Sequence, residues 1–155
     1  YWRTTDYGLK WRPVFFDLDF AFVTATRDII GQYFNPNGVP SDDQSLTYFE
    51  IYIGLKKNKA WRDYCVDRYV EVVETYFNAD RATKLFDEMV DVIRPEMSRQ
   101  IRKWGKPSSM SAWEQEIKKM RSFIEKRPEY ALENMRDYFG LSKSELNALI
   151  AKYQK

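Results

Sequence analysis

Asp17 and Asp19 are the side chains best placed to do chemistry. In Val14-Phe15-Phe16-Asp17-Leu18-Asp19-Phe20, a period of two puts Val14, Phe16, Leu18 and Phe20 on one face of an extended segment. Phe15, Asp17 and Asp19 then share the other face. The surrounding Phe15, Phe16, Leu18, Phe20 and Phe22 need burial, which would draw two carboxylates into an apolar setting. Like charges held close there raise each other's pKa unless a cation offsets them. A divalent metal is a natural offset. One or two carboxylates, waters and substrate phosphates are the usual oxygen shell of Mg²⁺ at a phosphoryl-transfer site. The same spacing also suits an ion pair with arginines such as Arg12 or Arg27, or a cap on the following helix, because D-x-D is a short and common string.

Composition narrows the alternatives. The chain has 155 residues, no histidine and one cysteine, so it cannot hold a Ser-His-Asp triad, a Cys-His pair, a haem-ligating histidine or a Cys/His zinc site. Cys65 cannot form an internal disulfide, and its neighbours Tyr64 and Val66 mark it as a core thiol. Basic and acidic residues number 25 and 23, which gives no basic field for duplex nucleic acid, and nucleic acid is not an expected partner. The basic clusters Lys56, Lys57, Lys59, Arg62 and Arg99, Arg102, Lys103, Lys106 have acidic neighbours and read as solvated helix faces. No apolar run approaches the ~18 residues of a membrane span, and no signal-peptide pattern begins the chain. Aromatic residues make up 17%, ample material for the core of one globular domain.

The elements that must hold the acidic pair read as follows. Residues 1–22 look extended, with Thr4-Thr5-Asp6-Tyr7-Gly8 as the turn of a short hairpin and Pro13 at an edge or bulge. Residues 35–45 are a loop by composition, and everything beyond is helical. Tyr69, Val72, Val73 and Tyr76 form one apolar stripe at helical spacing; Leu85, Met89, Val92 and Ile93 form another. Pro95 should kink or interrupt the second, and Pro128 suits the first turn of a separate helix. Ser111 with Glu114, and Ser142 with Glu145, have capping-box spacing. The expected core includes Tyr69, Val73, Leu85, Met89, Ile93, Trp113, Ile117 and Phe139. The expected fold class is mainly α, with a small N-terminal β hairpin or strand element and five or six helices.

The wording of the whole segment adds a resemblance. Trp11-Arg12-Pro13-Val14-Phe15-Phe16-Asp17-Leu18-Asp19-Phe20-Ala21-Phe22 resembles the metal-binding segment of the spore-coat CotH kinase family, of the form W-x-x-x-x-x-D-x-D-x-x-F. Phe77-Asn78-Ala79-Asp80-Arg81, Asp87-Glu88, Ile93-Arg94-Pro95-Glu96-Met97, Arg102-Lys103-Trp104, Trp113-Glu114 and Phe123-Ile124-Glu125-Lys126-Arg127-Pro128 are similar to that family's C-terminal helical portion, and Tyr138-Phe139-Gly140-Leu141 to its closing segment.

The resemblance implies an atypical protein kinase that uses ATP with Mg²⁺ or Mn²⁺ to phosphorylate protein serine, on a two-lobed kinase-like fold. Asp17 would be the metal-binding aspartate and Asp19 a supporting carboxylate. Residues 1–25 would be the metal element, 26–141 a helical C-lobe and 142–155 a helical tail. The family's phosphate-covering N-lobe, its nucleotide anchor and its catalytic-loop Asp and Asn precede the matched segment. The expectation is therefore a C-lobe piece of a longer kinase, inactive alone, with no catalytic residue of its own and the N-terminal lobe as its first partner. A serine-bearing protein would be the substrate, self-association of the uncovered lobe is expected, and a surface or exported parent would suit a spore-coat family. The competing readings are a non-enzymatic helical interaction module or pseudokinase remnant and a metal-dependent phosphodiesterase. A glycosidase fits poorly, because carboxylates at i and i+2 on a strand do not oppose each other across a sugar.

Overall fold

The computed structural model describes residues 4–8, 21–34 and 46–154. Six α-helices carry the described structure: α1 (Ile29–Tyr33), α2 (Leu46–Leu55), α3 (Lys59–Tyr76), α4 (Ala79–Trp104), α5 (Met110–Phe139) and α6 (Lys143–Tyr153). Their boundaries are set by side chains. Asn58, Asn78, Ser109 and Ser142 stand at the N-caps of α3 to α6, and each accepts a hydrogen bond from the backbone N–H three residues on, at 2.9–3.2 Å. Each thereby satisfies one of the donors a helix start leaves unpaired. Gly105 and Gly140 end α4 and α5 in the left-handed region, at φ 63 and 68.

The core lies where α3, α5 and α6 meet. Val66, Val70 and Val73 of α3 pack with Leu132 and Met135 of α5 and Leu146 of α6. The four-residue spacing from Val66 to Val70 and the return at Val73 keep all three valines on one face of α3. Val70 and Met135 are fully buried, each worth about 1.5–3 kcal/mol of transfer free energy. Helix α4 lies along the first half of α5, tied by Arg121 to Asp87 at 3.2 Å and by Arg94 to Glu114. The Arg94 guanidinium also sits 5.1 Å from the ring of buried Trp113. Helix α5 touches α1, α3, α4 and α6, so it is the common wall of the molecule.

Four expectations need correction. The β hairpin or strand element is not found: the described residues contain no strand. Thr5–Tyr7 form a single 3₁₀ turn closed by Gly8 at φ 65, and residues 21–28 are turns and bends. The Thr-Thr-Asp-Tyr-Gly composition signals a turn as strongly as it signals a hairpin. The described structure is all-α. The rest of the proposed β segment, residues 1–3 and 9–20, lies outside the described residues, as does the loop 35–45.

Pro128 does not begin a new helix, because α5 runs through it, and α4 runs through Pro95 in the same way. Each proline removes one intrahelical hydrogen bond, which the long flanking turns outweigh. Ser111 is not a cap, since Ser109 holds that position. Finally, Trp113 and Val73 are buried and Tyr69, Ile117 and Phe139 half-buried as expected, but Leu85, Met89 and Ile93 are exposed, together with Val92. The stripe is real and faces outward, because α4 meets α5 through its opposite, partly charged side.

Candidate functional site: the grip on the segment after the acidic pair

Asp17 and Asp19 lie outside the described residues. The first described residues after the pair are held by one face of α5.

Phe22 packs edge-on against Phe123, with ring centroids 5.1 Å apart. One turn further along α5, Arg127 Nη1 donates to the carbonyl oxygens of Ala25 and Arg27, both at 2.7 Å. Two turns beyond, Asn134 Nδ2 donates to the same Arg27 carbonyl at 3.2 Å. Offsets of four and seven residues bring Phe123, Arg127 and Asn134 to one face of a 3.6-residue helix. The segment is also fixed from its far end, where the Asp28 carboxylate caps α1 by accepting from Gly31 N–H at 2.7 Å. A Cβ on Gly31 would stand 2.1 Å from an Asp28 carboxylate oxygen, so any larger residue there would displace the cap. Tyr69 of α3 lies beside this arrangement. Burial raises its phenol pKa above the ordinary range, Arg127 pulls it part of the way back, and Asp28 adds to the rise.

Two grooves flank the grip. A groove of about 600 Å³ between α3, α4 and α5 has Ala21 and Phe22 on its rim and Tyr76, Leu85, Met89 and Ile124 among its walls. Its lining is apolar except for Arg81 and Arg127, so it offers little to a phosphate chain and a good deal to an apolar surface. The second, of about 440 Å³ between α4 and α5, is lined by Asp80, Asp87, Glu88, Asp91 and Glu125 with Lys84 and Arg121. Arg121 bridges Asp87 and Glu125, which raises its already high pKa, and the groove's acids are spread out. Among the described residues no group of three or more Asp, Glu, His or Cys side chains could hold a metal. The basic clusters stay on the surface, with Lys56 seated 3.9 Å over the ring of Tyr138. Cys65 is half-buried, and burial pushes its thiol pKa up, away from the reactive range. No described helix is long and apolar enough to cross a membrane.

Sequence reading picked out the Arg127-Pro128 string but did not assign Arg127 a contact, and it missed Asn134 altogether. The available signal was the spacing of Phe123, Arg127 and Asn134 on one face of a helix whose other faces were already apolar or charged.

The family model described as CotH kinase protein matches residues 1–131, which include the acidic pair, the segment after it, and α5 as far as Phe123 and Arg127 but not Asn134. The chain belongs to the CotH kinase family. Membership carries a general dependence on nucleotide and metal. No curated protein and no solved structure matches the chain.

Proposed function

We propose that this chain is the metal-binding and helical portion of a CotH-like protein kinase that transfers phosphate from ATP to protein serine with Mg²⁺ or Mn²⁺. The observation that carries the reading is the family match across residues 1–131, which spans the D-x-D segment together with Phe123 and Arg127 of α5. Asp17 would hold the metal and Asp19 support it. A divalent metal held by these carboxylates would supply charge stabilisation for the transferred phosphoryl group. Phosphoryl transfer is mostly positioning and charge stabilisation by parts drawn from two lobes, so transfer requires the N-terminal lobe as partner and this chain alone is inactive.

Asp17→Asn tests the assignment in a form that includes that lobe. The amide keeps the carboxylate's shape and removes the charge a metal needs. Phosphate transfer should fall by roughly two orders of magnitude or more while the melting curve is kept, with Asp19→Asn milder. If Asp17 were instead the buried partner of an arginine, the same change would cost about 3–5 kcal/mol of stability and leave metal binding alone. Normal transfer by folded Asp17→Asn protein would sink the metal role.

The exposed apolar side chains of α4 favour a second reading, a helical interaction module descended from a kinase. Such a remnant would bind neither Mn²⁺ nor ATP, and calorimetric titration separates the two.

A further inference from the structure

We propose that the groove between α3, α4 and α5 is a binding site for one long-chain carboxylate of the fatty-acid type, with its head at Arg81 and Arg127 and its chain laid along α4; the proposal is independent of the kinase reading above. Apart from the two arginines, the walls of this groove are aliphatic and aromatic, and no acidic residue lines it. At the roughly 30 Å³ that a water-sized group takes in a liquid, its volume of about 600 Å³ holds roughly 20 heavy atoms. That is the size of one long acyl chain with its carboxylate. Three turns of a partner helix with side chains would fill roughly 1,300 Å³ or more.

The charges stand where such a head needs them. Asp87 faces Arg121 and Arg94 faces Glu114, which sets α4 and α5 antiparallel in a fixed register. Six residues back along α4 and six on along α5 from the first of these pairs, the register puts Arg81 level with Arg127. Leu85 and Met89 follow one and two turns further along α4, with Phe123 and Ile124 of α5 as the facing wall. Arg81 is exposed, and among the described residues its guanidinium has no hydrogen-bond or ion-pair partner. It is free to pair with a carboxylate through two parallel bonds. Arg127 Nη1 already serves the carbonyls of Ala25 and Arg27, so Arg127 adds positive charge to the head site and Arg81 supplies the bonds. Leu85 and Met89 are exposed on the groove wall, and a chain laid over them removes that apolar surface from water. Paired cations beside an apolar trough complement an anionic head on an apolar tail and repel a cationic one.

Calorimetric titration of the full chain with dodecanoate, below its micelle concentration and at a protein concentration where sedimentation shows a monomer, tests the proposal. One dodecanoate per chain should bind. Dodecyltrimethylammonium, the same tail with a cationic head, should bind at least about 10-fold more weakly. Arg81→Gln should lower dodecanoate affinity by about 10-fold, the loss expected when a hydrogen-bonded charge pair is removed, and Arg81→Lys by less. Met89→Glu sets a carboxylate on the groove wall and should abolish binding, whereas Val92→Glu, the same added charge outside the lining, should leave it unchanged. All three positions are exposed, so the variants keep the fold, and wild-type helical circular dichroism checks it. No saturable binding by the wild type would overturn the proposal and leave the groove to a second copy of the chain. Equal binding of the two amphiphiles, unchanged affinity in Arg81→Gln, uptake of several molecules per chain, or equal losses in Met89→Glu and Val92→Glu would each overturn it as well. None of these readouts involves ATP or a metal, so the kinase reading stands or falls separately.

Discussion

Ser109 and Ser111 stand two positions apart at the start of α5, and only Ser109 caps it. Ser109→Ala should lower stability by about 1 kcal/mol, while Ser111→Ala, inside the first turn and exposed, should change it by less than about 0.5 kcal/mol. Urea midpoints of the two variants check this ordering, and equal losses would refute it. Capping-box spacing is met at both Ser111/Glu114 and Ser142/Glu145, yet only the second forms. The difference lies in what competes. Ser109 is two residues upstream of Ser111, and Glu114 is engaged by Arg94 of α4. Nothing comparable precedes Ser142, whose hydroxyl and N–H both meet Glu145. Local strings are legible from sequence only where no tertiary partner claims one of their members.

Helix α6 is held by Leu146 in the core, by Lys152 to Asp67 at 2.6 Å and by Gln154 to Glu74 at 3.0 Å. Two acid groups, Asp67 of α3 and Glu145 of α6, are tuned by contacts made at this helix. The Lys152 ammonium, helped by the Tyr153 hydroxyl, holds Asp67 below its ordinary 3.8. The Ser142 hydroxyl and N–H hold Glu145 below its ordinary 4.5. A carboxyl depressed on folding stabilises the fold above its unfolded pKa, and the contribution is lost as pH falls through the folded value. Both groups therefore favour the docked helix at neutral pH and cease to do so in acid, below about pH 4. Across that window the urea midpoint should fall more steeply for the wild type than for an Asp67→Asn, Glu145→Gln double variant, and parallel curves would show that these contacts do not couple to folding. At this scale the sequence revealed the existence of the helices well and their limits less well. Propensity summed over 26 and 30 residues overrode the proline signals, so no separate helix begins at Pro128 and α4 is not interrupted at Pro95. Periodicity identified the Leu85 stripe of α4 but could not say which side of the helix would find a partner.

Across the molecule, the side chains left without cover are concentrated on α4 and the end of α3. Leu85 is 56% exposed, Met89 63% and Val92 78%, with Tyr76 and Phe77 beside them. Apolar groups gathered in this way drive association, and a second copy of the chain is the partner always available. Sedimentation at rising concentration should show self-association that Val92→Glu suppresses, whereas a monomer at every concentration would mean that the face is inert. Among the described residues this face on α3 and α4 was not anticipated, because sequence patterning locates apolar faces without saying how they are shared out among neighbours. The bonds of Arg127 and Asn134 were not legible, because both act on backbone carbonyls roughly a hundred residues away, and no local pattern encodes such a pairing. That separation sets an order of events. Arg127 lies 102 residues beyond Ala25, so a chain made from its N-terminus has completed α1 to α4 and half of α5 before the donor for those carbonyls exists. Closing so long a loop is paid for only once the helices it encloses have packed. Residues 25–27 thus gain their α5 donors only after α1 to α4 have been made.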